Sequence, residues 1–189
     1  RLVDISCEHS MLSSKSLAKS SVGLTISVGL DGAEIERANT AAAKTLSHFP
    51  WLKLETVRHG ETTLTLWGRN SASETSHVGD DGWLNVLVGE PAGQGDWKQV
   101  SEFASRIDVS AAKPLKWKGR CLLVRVSPDG KNWIVQNDFG GSVPFFWSNI
   151  GNGRIASTLE PVCVAANDYS SDALSMPGLA SVLILNHLV

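Results

Sequence analysis

The sequence predicts an α+β fold in which antiparallel sheet predominates. Short segments that alternate apolar and polar residues follow one another along the chain, separated by glycine-containing turns, and only a few stretches have a helical period. Strands in series with few helices between them favour antiparallel sheets. No repeat and no long linker interrupts the 189 residues, so we expect one domain with a core of its own.

The first half of the chain is predicted to hold an arm, one helix and four strands. Residues 1–20 are rich in serine and lysine without periodicity, which favours a loose or peripheral arm. Residues 33–48 are alanine-rich and predict a helix, whose inner face carries Ile35, Ala38, Ala42, Thr45 and Leu46. The strands are predicted at 22–30, 51–58, 61–68 and 83–89.

The second half is predicted to hold a helix, a series of strands and a closing helix. The first helix runs from Trp97 to Ile107, and Asp96 is placed to cap it because a short carboxylate accepts the unpaired amide hydrogens there. Residues 176–178, Met-Pro-Gly, are expected to start the last helix, since proline is tolerated in a first turn. The strands are predicted at 120–127, 133–137, 145–148 and 154–157.

The charge and the hydropathy pattern exclude two classes of partner. The formal net charge is -2 and the pI is near 6.2, so no basic field attracts nucleic acid. No apolar run reaches the roughly 18 residues that a membrane span needs. The first ten residues lack the charged-then-apolar order of a signal peptide. We therefore expect no nucleic-acid partner and no membrane partner.

The cysteines and histidines do not predict a metal site or a disulfide framework. Cys7, Cys121 and Cys163 form no C-x-x-C pair, and an odd number cannot all pair, which favours reduced thiols in a cytoplasmic protein. The five histidines are scattered, so no metal and no cofactor is expected. The seven tryptophans are spread along the chain, which is typical of core and sheet packing.

One turn has a distinctive composition. Residues 137–148 read N-D-F-G-G-S-V-P-F-F-W-S, and Gly140 and Gly141 allow backbone torsions that a side chain would forbid. Pro144 stops further ladder pairing before the aromatic residues begin a strand. Asp138 is expected to accept backbone amides of its own turn. We therefore expect Asp138, Gly140, Gly141 and Pro144 to have an architectural role in this turn.

This turn resembles part of a known family. Residues 119–162 are similar to the N-terminal glutaminase domain of asparagine synthetases, a class II glutamine amidotransferase, in which a hairpin leads to R-D-x-x-G-x-x-P-L-Y-Y and a later strand ends in A-S-E. Residues 137–140 stand for the first part of that pattern, 144–146 for the P-L-Y portion and 156–158 for A-S-E. Upstream, 86–91 is similar to the family's F-N-G-E-I-Y strand, and 66–69 takes the place of its G-H-x-R-L segment.

The resemblance implies a fold and a partner. The fold would be an α/β/β/α four-layer sandwich of the N-terminal-nucleophile (Ntn) type with two antiparallel sheets, formed by residues 22–189 behind an arm of 1–21. Such a domain precedes an ATP-dependent, amide-forming synthetase domain, so a synthetase domain or chain is an expected partner, and a homodimer is another. The chain contains no S-G-G-x-D-S loop, so it is not expected to bind ATP by itself.

The resemblance also implies which catalytic groups are missing. The family hydrolyses glutamine with an N-terminal cysteine in C-G-I and an oxyanion asparagine in N-G-E. Here Val22 precedes Gly23, and Val88 precedes Gly89 and Glu90, so we expect no catalytic residue. Arg69, Gly89 and Glu90 would be remnants of the glutamine pocket, with arginine suited to a carboxylate.

Three functions follow from these observations. The first is a degenerate glutaminase-like domain that acts as a structural or partner domain and releases no ammonia from glutamine. The second is an active glutamine amidohydrolase whose nucleophile is Cys7, exposed by N-terminal processing. The third is a non-enzymatic β-rich binding domain that uses exposed tryptophans, which a single sheet or tryptophans clustered on one face would favour.

Overall fold

The computed structural model describes residues 2–4, 18–92, 95–107, 118–138 and 140–167. In chain order, the elements of this part are β1 (Leu2–Asp4), β2 (Gly23–Val28), α1 (Gly32–Leu46), β3 (Lys53–His59), β4 (Thr62–Gly68), α2 (Ala72–Thr75), β5 (Ser76–Val78), β6 (Leu84–Ala92), α3 (Trp97–Ser105), β7 (Lys118–Val126), β8 (Trp133–Asn137), β9 (Phe146–Ile150), β10 (Gly153–Ser157) and α4 (Glu160–Ala166). The prediction of an α+β fold that is mostly sheet is confirmed.

The strands form two sheets. The larger has six strands in the order β1-β3-β4-β2-β10-β9, and the smaller has four in the order β5-β6-β7-β8. All neighbours pair antiparallel except β1, which runs parallel to β3. The predicted antiparallel character of the sheets is therefore confirmed, with one short parallel strand at an edge.

The main core joins residues of both sheets. Alternate side chains of β2 and β4 in the larger sheet share one buried cluster with alternate side chains of β6 and β7 in the smaller sheet. Burying each such aliphatic side chain contributes roughly 1.5 to 3 kcal/mol relative to exposure. The residues of these four strands that belong to the buried cluster are Leu24, Ile26, Leu64, Leu66, Leu84, Val86, Val88, Leu122, Val124 and Val126.

Helices cover the other faces of the sheets. On the larger sheet, Ala38 and Ala42 of α1 share a cluster with Val162 of α4 and Ile155 of β10. On the smaller sheet, Val100 and Ala104 of α3 share a second cluster with Leu87, Leu123 and Cys121. Of the predicted inner face of α1, Ala38, Ala42 and Leu46 are buried, whereas Ile35 and Thr45 are only half-buried.

Both longer helices begin at an aspartate cap. The Asp31 carboxylate accepts the Glu34 amide at 2.8 Å, and the Glu34 carboxylate accepts the Asp31 amide at 2.8 Å, which completes a capping box. Asp96 accepts the Gln99 amide at 2.9 Å, so the predicted cap of α3 is confirmed. These bonds satisfy amides that have no partner within the helix.

Parts of the predicted loose arm are integrated into the sheets. Leu2–Asp4 form β1, in register with residues 56–58 of β3. Ala18 is buried and donates its amide to the Gly95 carbonyl, and Ser21 is buried as well. These residues are not loose, because they bond to the sheets through their backbone, and β1 has a peripheral position at an edge of the larger sheet. The helix predicted from Met176 lies outside the described residues.

Among the described helices, none combines the length and apolar character that crossing a bilayer requires.

A buried arginine ties α3 to the smaller sheet. Arg125 on β7 is only 4% exposed. Its Nε donates to Asn85 Oδ1 at 3.1 Å, its Nη1 donates to the Ala104 carbonyl at 2.6 Å, and its Nη2 pairs with Asp81. The guanidinium also lies 4.7 Å from the centre of the Trp83 ring. Every edge of the guanidinium is therefore engaged, which is what allows a charge to be buried here.

Replacing this arginine should lower stability sharply. We expect Arg125→Met to lower the free energy of unfolding by about 2 to 4 kcal/mol, because it leaves buried acceptors without a donor. Urea denaturation followed by circular dichroism measures the loss. The matched control is Arg154→Met, since Arg154 also stacks on a tryptophan but is exposed, and it should cost less than about 1 kcal/mol. Equal losses of stability in the two variants would contradict a stabilising role for the buried contacts of Arg125.

Candidate functional site

A cavity of about 740 Å³ lies where the ends of strands from both sheets meet. It is bounded by the residues before β2, the residues after β4 and β10, the middle of β6, the start of β7, and the connections α1–β3 and β8–β9. Its volume is within the roughly 300 to 1,000 Å³ of small-molecule sites. The lining residues are Ser20, Ser21, Val22, Leu46, Phe49, Trp51, Leu52, Trp67, Arg69, Asn70, Gly89, Glu90, Arg120, Val143, Pro144, Thr158 and Leu159.

The structure brings together the residues that the sequence singled out as a pocket. Arg69 follows β4 in the larger sheet, whereas Gly89 and Glu90 lie on β6 in the smaller sheet, yet all three line this cavity. Pro144 of the distinctive turn lines it too, but Asp138, Gly140 and Gly141 do not. The cavity is therefore a junction between the two sheets.

The backbone before β2 is bonded to both sheets at the cavity wall. The Ser21 amide donates to the Leu87 carbonyl at 2.9 Å, and the Ser21 carbonyl accepts the Gly89 amide at 2.8 Å. On its other side, the Val22 amide donates to the Trp67 carbonyl at 2.8 Å. The Ser20 hydroxyl donates to the Gly89 carbonyl. Both backbone groups of Gly89 are thus engaged by the segment 20–21.

Gly89 is required by the backbone at this point. Its φ is +90°, and a Cβ added there would lie 2.2 Å from the Arg120 carbonyl oxygen. A side chain would therefore both strain the backbone and clash with β7. This conformation brings the β6 strand close enough to contact the residues before β2.

Neither position that the family resemblance assigns to catalysis carries a reactive group. Val22 lies on the cavity wall and is half exposed, with only methyl groups to offer. Val88 is fully buried in the main core and is not among the residues that line the cavity. Valine can neither attack a carbonyl carbon nor donate to an oxyanion.

The two cysteines in the described part of the chain are buried core residues. Burial raises the pKa of Cys121 to about 11, with the Asp138 charge acting in the same direction. Burial also raises the pKa of Cys163 to about 11. Because the thiolate is the nucleophile, both are unreactive at neutral pH. Neither lines the cavity, and Cys7 lies outside the described residues.

Two arginines give the cavity a positive side. The Arg69 guanidinium lies over the Trp51 ring at 4.8 Å from its centre. The Arg120 Nε donates to the Ser142 carbonyl at 3.0 Å, and its two terminal nitrogens have no hydrogen-bond partner in the part of the chain that the structure describes. Within the described ranges, neither arginine is in an ion pair with an acidic side chain. Glu90 is the single acidic residue among the described residues of the lining, so positive charge exceeds negative charge among them.

The mouth of the cavity is apolar and aromatic. Phe49 and Trp51 are 46% and 47% exposed and pack edge to face, with ring centres 6.0 Å apart. Val22, beside them in the lining, is 52% exposed. The prediction that tryptophans serve core and sheet packing is wrong for Trp51 and for Trp147, which is 69% exposed. Trp51 lies in the connection between α1 and β3, and Trp147 lies on β9 at an edge of the larger sheet.

Asp138 organises the turn beside the cavity. Its Oδ1 accepts the Gly140 and Ser142 amides at 2.8 and 3.2 Å, and its Oδ2 accepts the Cys121 amide at 3.0 Å. Although desolvation raises the pKa of Asp138, the bonds from Cys121, Ser142 and Gly140 outweigh it and hold the pKa below its usual value. The prediction that Asp138 accepts amides of its own turn is confirmed.

No cluster of three or more histidine, cysteine, aspartate or glutamate side chains that could hold a metal ion occurs among the described residues.

Neutralising the Asp138 carboxylate should loosen the turn that it organises. We expect Asp138→Asn to lower the free energy of unfolding by about 1.5 to 3 kcal/mol at pH 7, since an amide nitrogen would face the Cys121 amide hydrogen. Asp96→Asn is the matched control, because asparagine caps a helix as well as aspartate does, and it should cost only a few tenths of a kcal/mol.

The pH dependence gives a second readout for the same variant. The pKa of Asp138 is lower in the folded state than in the unfolded state, where it is about 4. Its contribution to the free energy of unfolding is therefore present above about pH 4 and is lost as pH falls through the folded-state pKa. The stability difference between wild type and Asp138→Asn should therefore shrink below about pH 4. Denaturant titrations at several pH values measure it, and a difference that stays constant into acid would contradict a role for the charge.

The comparisons with known proteins leave the family open. No protein-family model matches the chain, and no curated protein matches its sequence. The geometry of the cavity and the resemblance in the sequence are therefore the grounds on which a function rests.

Proposed function

We propose that the chain is a glutaminase-like domain of the Ntn type that does not hydrolyse glutamine itself. It acts as a structural or partner domain for an ATP-dependent, amide-forming synthetase domain or chain. The observation that carries the proposal is the cavity bordered by Arg69, Gly89 and Glu90, where the position of the family's nucleophile is taken by Val22 within a continuous, hydrogen-bonded backbone.

The arrangement of clusters supports the four-layer form of this fold. One hydrophobic cluster joins the two sheets, a second joins α1 and α4 to the larger sheet, and a third joins α3 to the smaller sheet. An α/β/β/α sandwich requires these three interfaces and no other. The six-stranded and four-stranded sheets also favour this reading over a β-rich binding domain with a single sheet.

The absence of hydrolysis follows from three features of the cavity wall. Val22 supplies no nucleophile, Val88 supplies no oxyanion donor, and the Gly89 amide is already bonded to the Ser21 carbonyl. A tetrahedral intermediate in this cavity would have neither an attacking group nor a preorganised donor at these positions. Binding without hydrolysis is the chemistry that remains.

A glutaminase assay tests the proposal. Purified protein should release ammonium from L-glutamine no faster than protein-free buffer does. The comparison variant lacks residues 1–21 and carries Val22→Cys, which supplies a terminal thiol and frees the Gly89 amide from the Ser21 carbonyl. This variant should release more ammonium than the unmodified protein.

The alternative of an active hydrolase has its own readout. Ammonium release by the unmodified protein would contradict the proposal, and its loss in Cys7→Ala would assign the activity to processing at Cys7. Mass spectrometry of the mature N-terminus decides the same point, because a chain that retains residues 1–6 cannot use Cys7 as a terminal nucleophile.

Size-exclusion chromatography with light scattering tests whether the protein forms the expected homodimer.

A further inference from the structure

We propose that the cavity binds a small amphipathic carboxylate, with the carboxylate held by Arg69 and Arg120 and an aromatic or branched aliphatic group held by the apolar mouth. This proposal does not depend on descent from a glutaminase, because it rests on the charges and exposed apolar surface of the cavity itself. It names a ligand class that is distinct from glutamine, whose side chain is a polar amide.

The charge of the lining selects an anion. Arg69 and Arg120 lie on strand ends from different sheets and both reach the same cavity. Arg69 stacks on Trp51 and Arg120 donates its Nε to Ser142, so among the described residues guanidinium donors on both have no protein partner and can bind a ligand. The planar fork of a guanidinium matches the two oxygens of a carboxylate. Glu90 disfavours a ligand with several negative charges and favours a single one.

The apolar part of the lining selects the body of the ligand. Val22, Phe49 and Trp51 together expose an apolar surface at the mouth, although large side chains of this kind are ordinarily buried. Further apolar residues of the lining are Leu46, Leu52, Val143, Pro144 and Leu159. Apolar surface around a concave site, with a few polar groups at one side, is typical of a small-molecule pocket.

The Arg69–Trp51 pair connects the two halves of the site. The guanidinium lies over the indole face, so a carboxylate bound at Arg69 lies at the edge of the aromatic surface. A ligand with a short spacing between its carboxylate and its apolar group therefore reaches both at once. N-acetyl-L-phenylalanine has this spacing and a single negative charge, and its amide has the same body without the charge.

Fluorescence and ligand-observed NMR titrations test the proposal. N-acetyl-L-phenylalanine should bind saturably with a Kd of about 1 mM or tighter. N-acetyl-L-phenylalaninamide should bind about tenfold more weakly, since it cannot form charge-assisted bonds to the guanidinium groups. L-glutamine should bind more weakly than N-acetyl-L-phenylalanine, because it leaves the apolar mouth uncovered.

Variants locate the binding in the cavity. Arg69→Gln and Arg120→Gln should each weaken binding of the acid about tenfold and leave binding of the amide nearly unchanged. The matched control is Arg154→Gln, which removes another tryptophan-stacked arginine outside the cavity lining and should leave both affinities unchanged. Circular dichroism of each variant checks that the fold is retained.

Several results would overturn the proposal. These are equal affinity for acid and amide, the same loss in Arg154→Gln as in Arg69→Gln, tighter binding of L-glutamine than of the acid, or no saturable binding of the acid. The comparison of acid with amide uses the unmodified protein, so it stands even where an arginine variant does not fold. None of these results bears on glutamine hydrolysis, which the ammonium assay tests separately.

Discussion

Three backbone hydrogen bonds at Ser21 and Val22 hold the start of β2 between the two sheets, and the cavity depends on them. Ser21 bonds to Leu87 and Gly89 of the smaller sheet, and Val22 bonds to Trp67 of the larger sheet. Side-chain packing joins the sheets along their length, and at the end away from the cavity the Glu61 amide donates to the Asp129 carbonyl at 3.0 Å. This bonded segment therefore fixes the spacing at which residues from the two sheets face one another across the cavity.

The same bonds determine the chemistry that the cavity can support. They engage the Gly89 amide, and they place Val22 in the cavity wall. Arg69, Arg120 and Glu90 are then the residues that can make polar contacts with a ligand. The aromatic residues at the mouth can supply apolar contact area. This distribution agrees with the proposed absence of hydrolysis, and it is the basis for proposing an amphipathic carboxylate as ligand.

Local patterns predict the elements of this fold better than they predict its site. Strand β8 lies at the predicted 133–137, and Asp96 caps α3 as expected, because alternation, turns and caps depend on neighbours in sequence. Strand β1 was missed because three residues carry no period, and its pairing is with a distant strand. The role of Arg120 in the cavity and the exposure of Trp51 likewise depend on how the sheets pack, which no local pattern specifies.

Amide hydrogen exchange at Gly89 tests the central claim most directly. If the Ser21 carbonyl holds this amide, its exchange should be slowed to a rate similar to that of neighbouring core amides such as Val88, because residues 21 and 22 are bonded to both sheets and release the Gly89 amide only when this part of the core opens. Two-dimensional NMR of the protein after transfer to deuterated buffer measures both rates. Exchange of the Gly89 amide at the rate of an unprotected peptide, with Val88 still protected, would contradict the account.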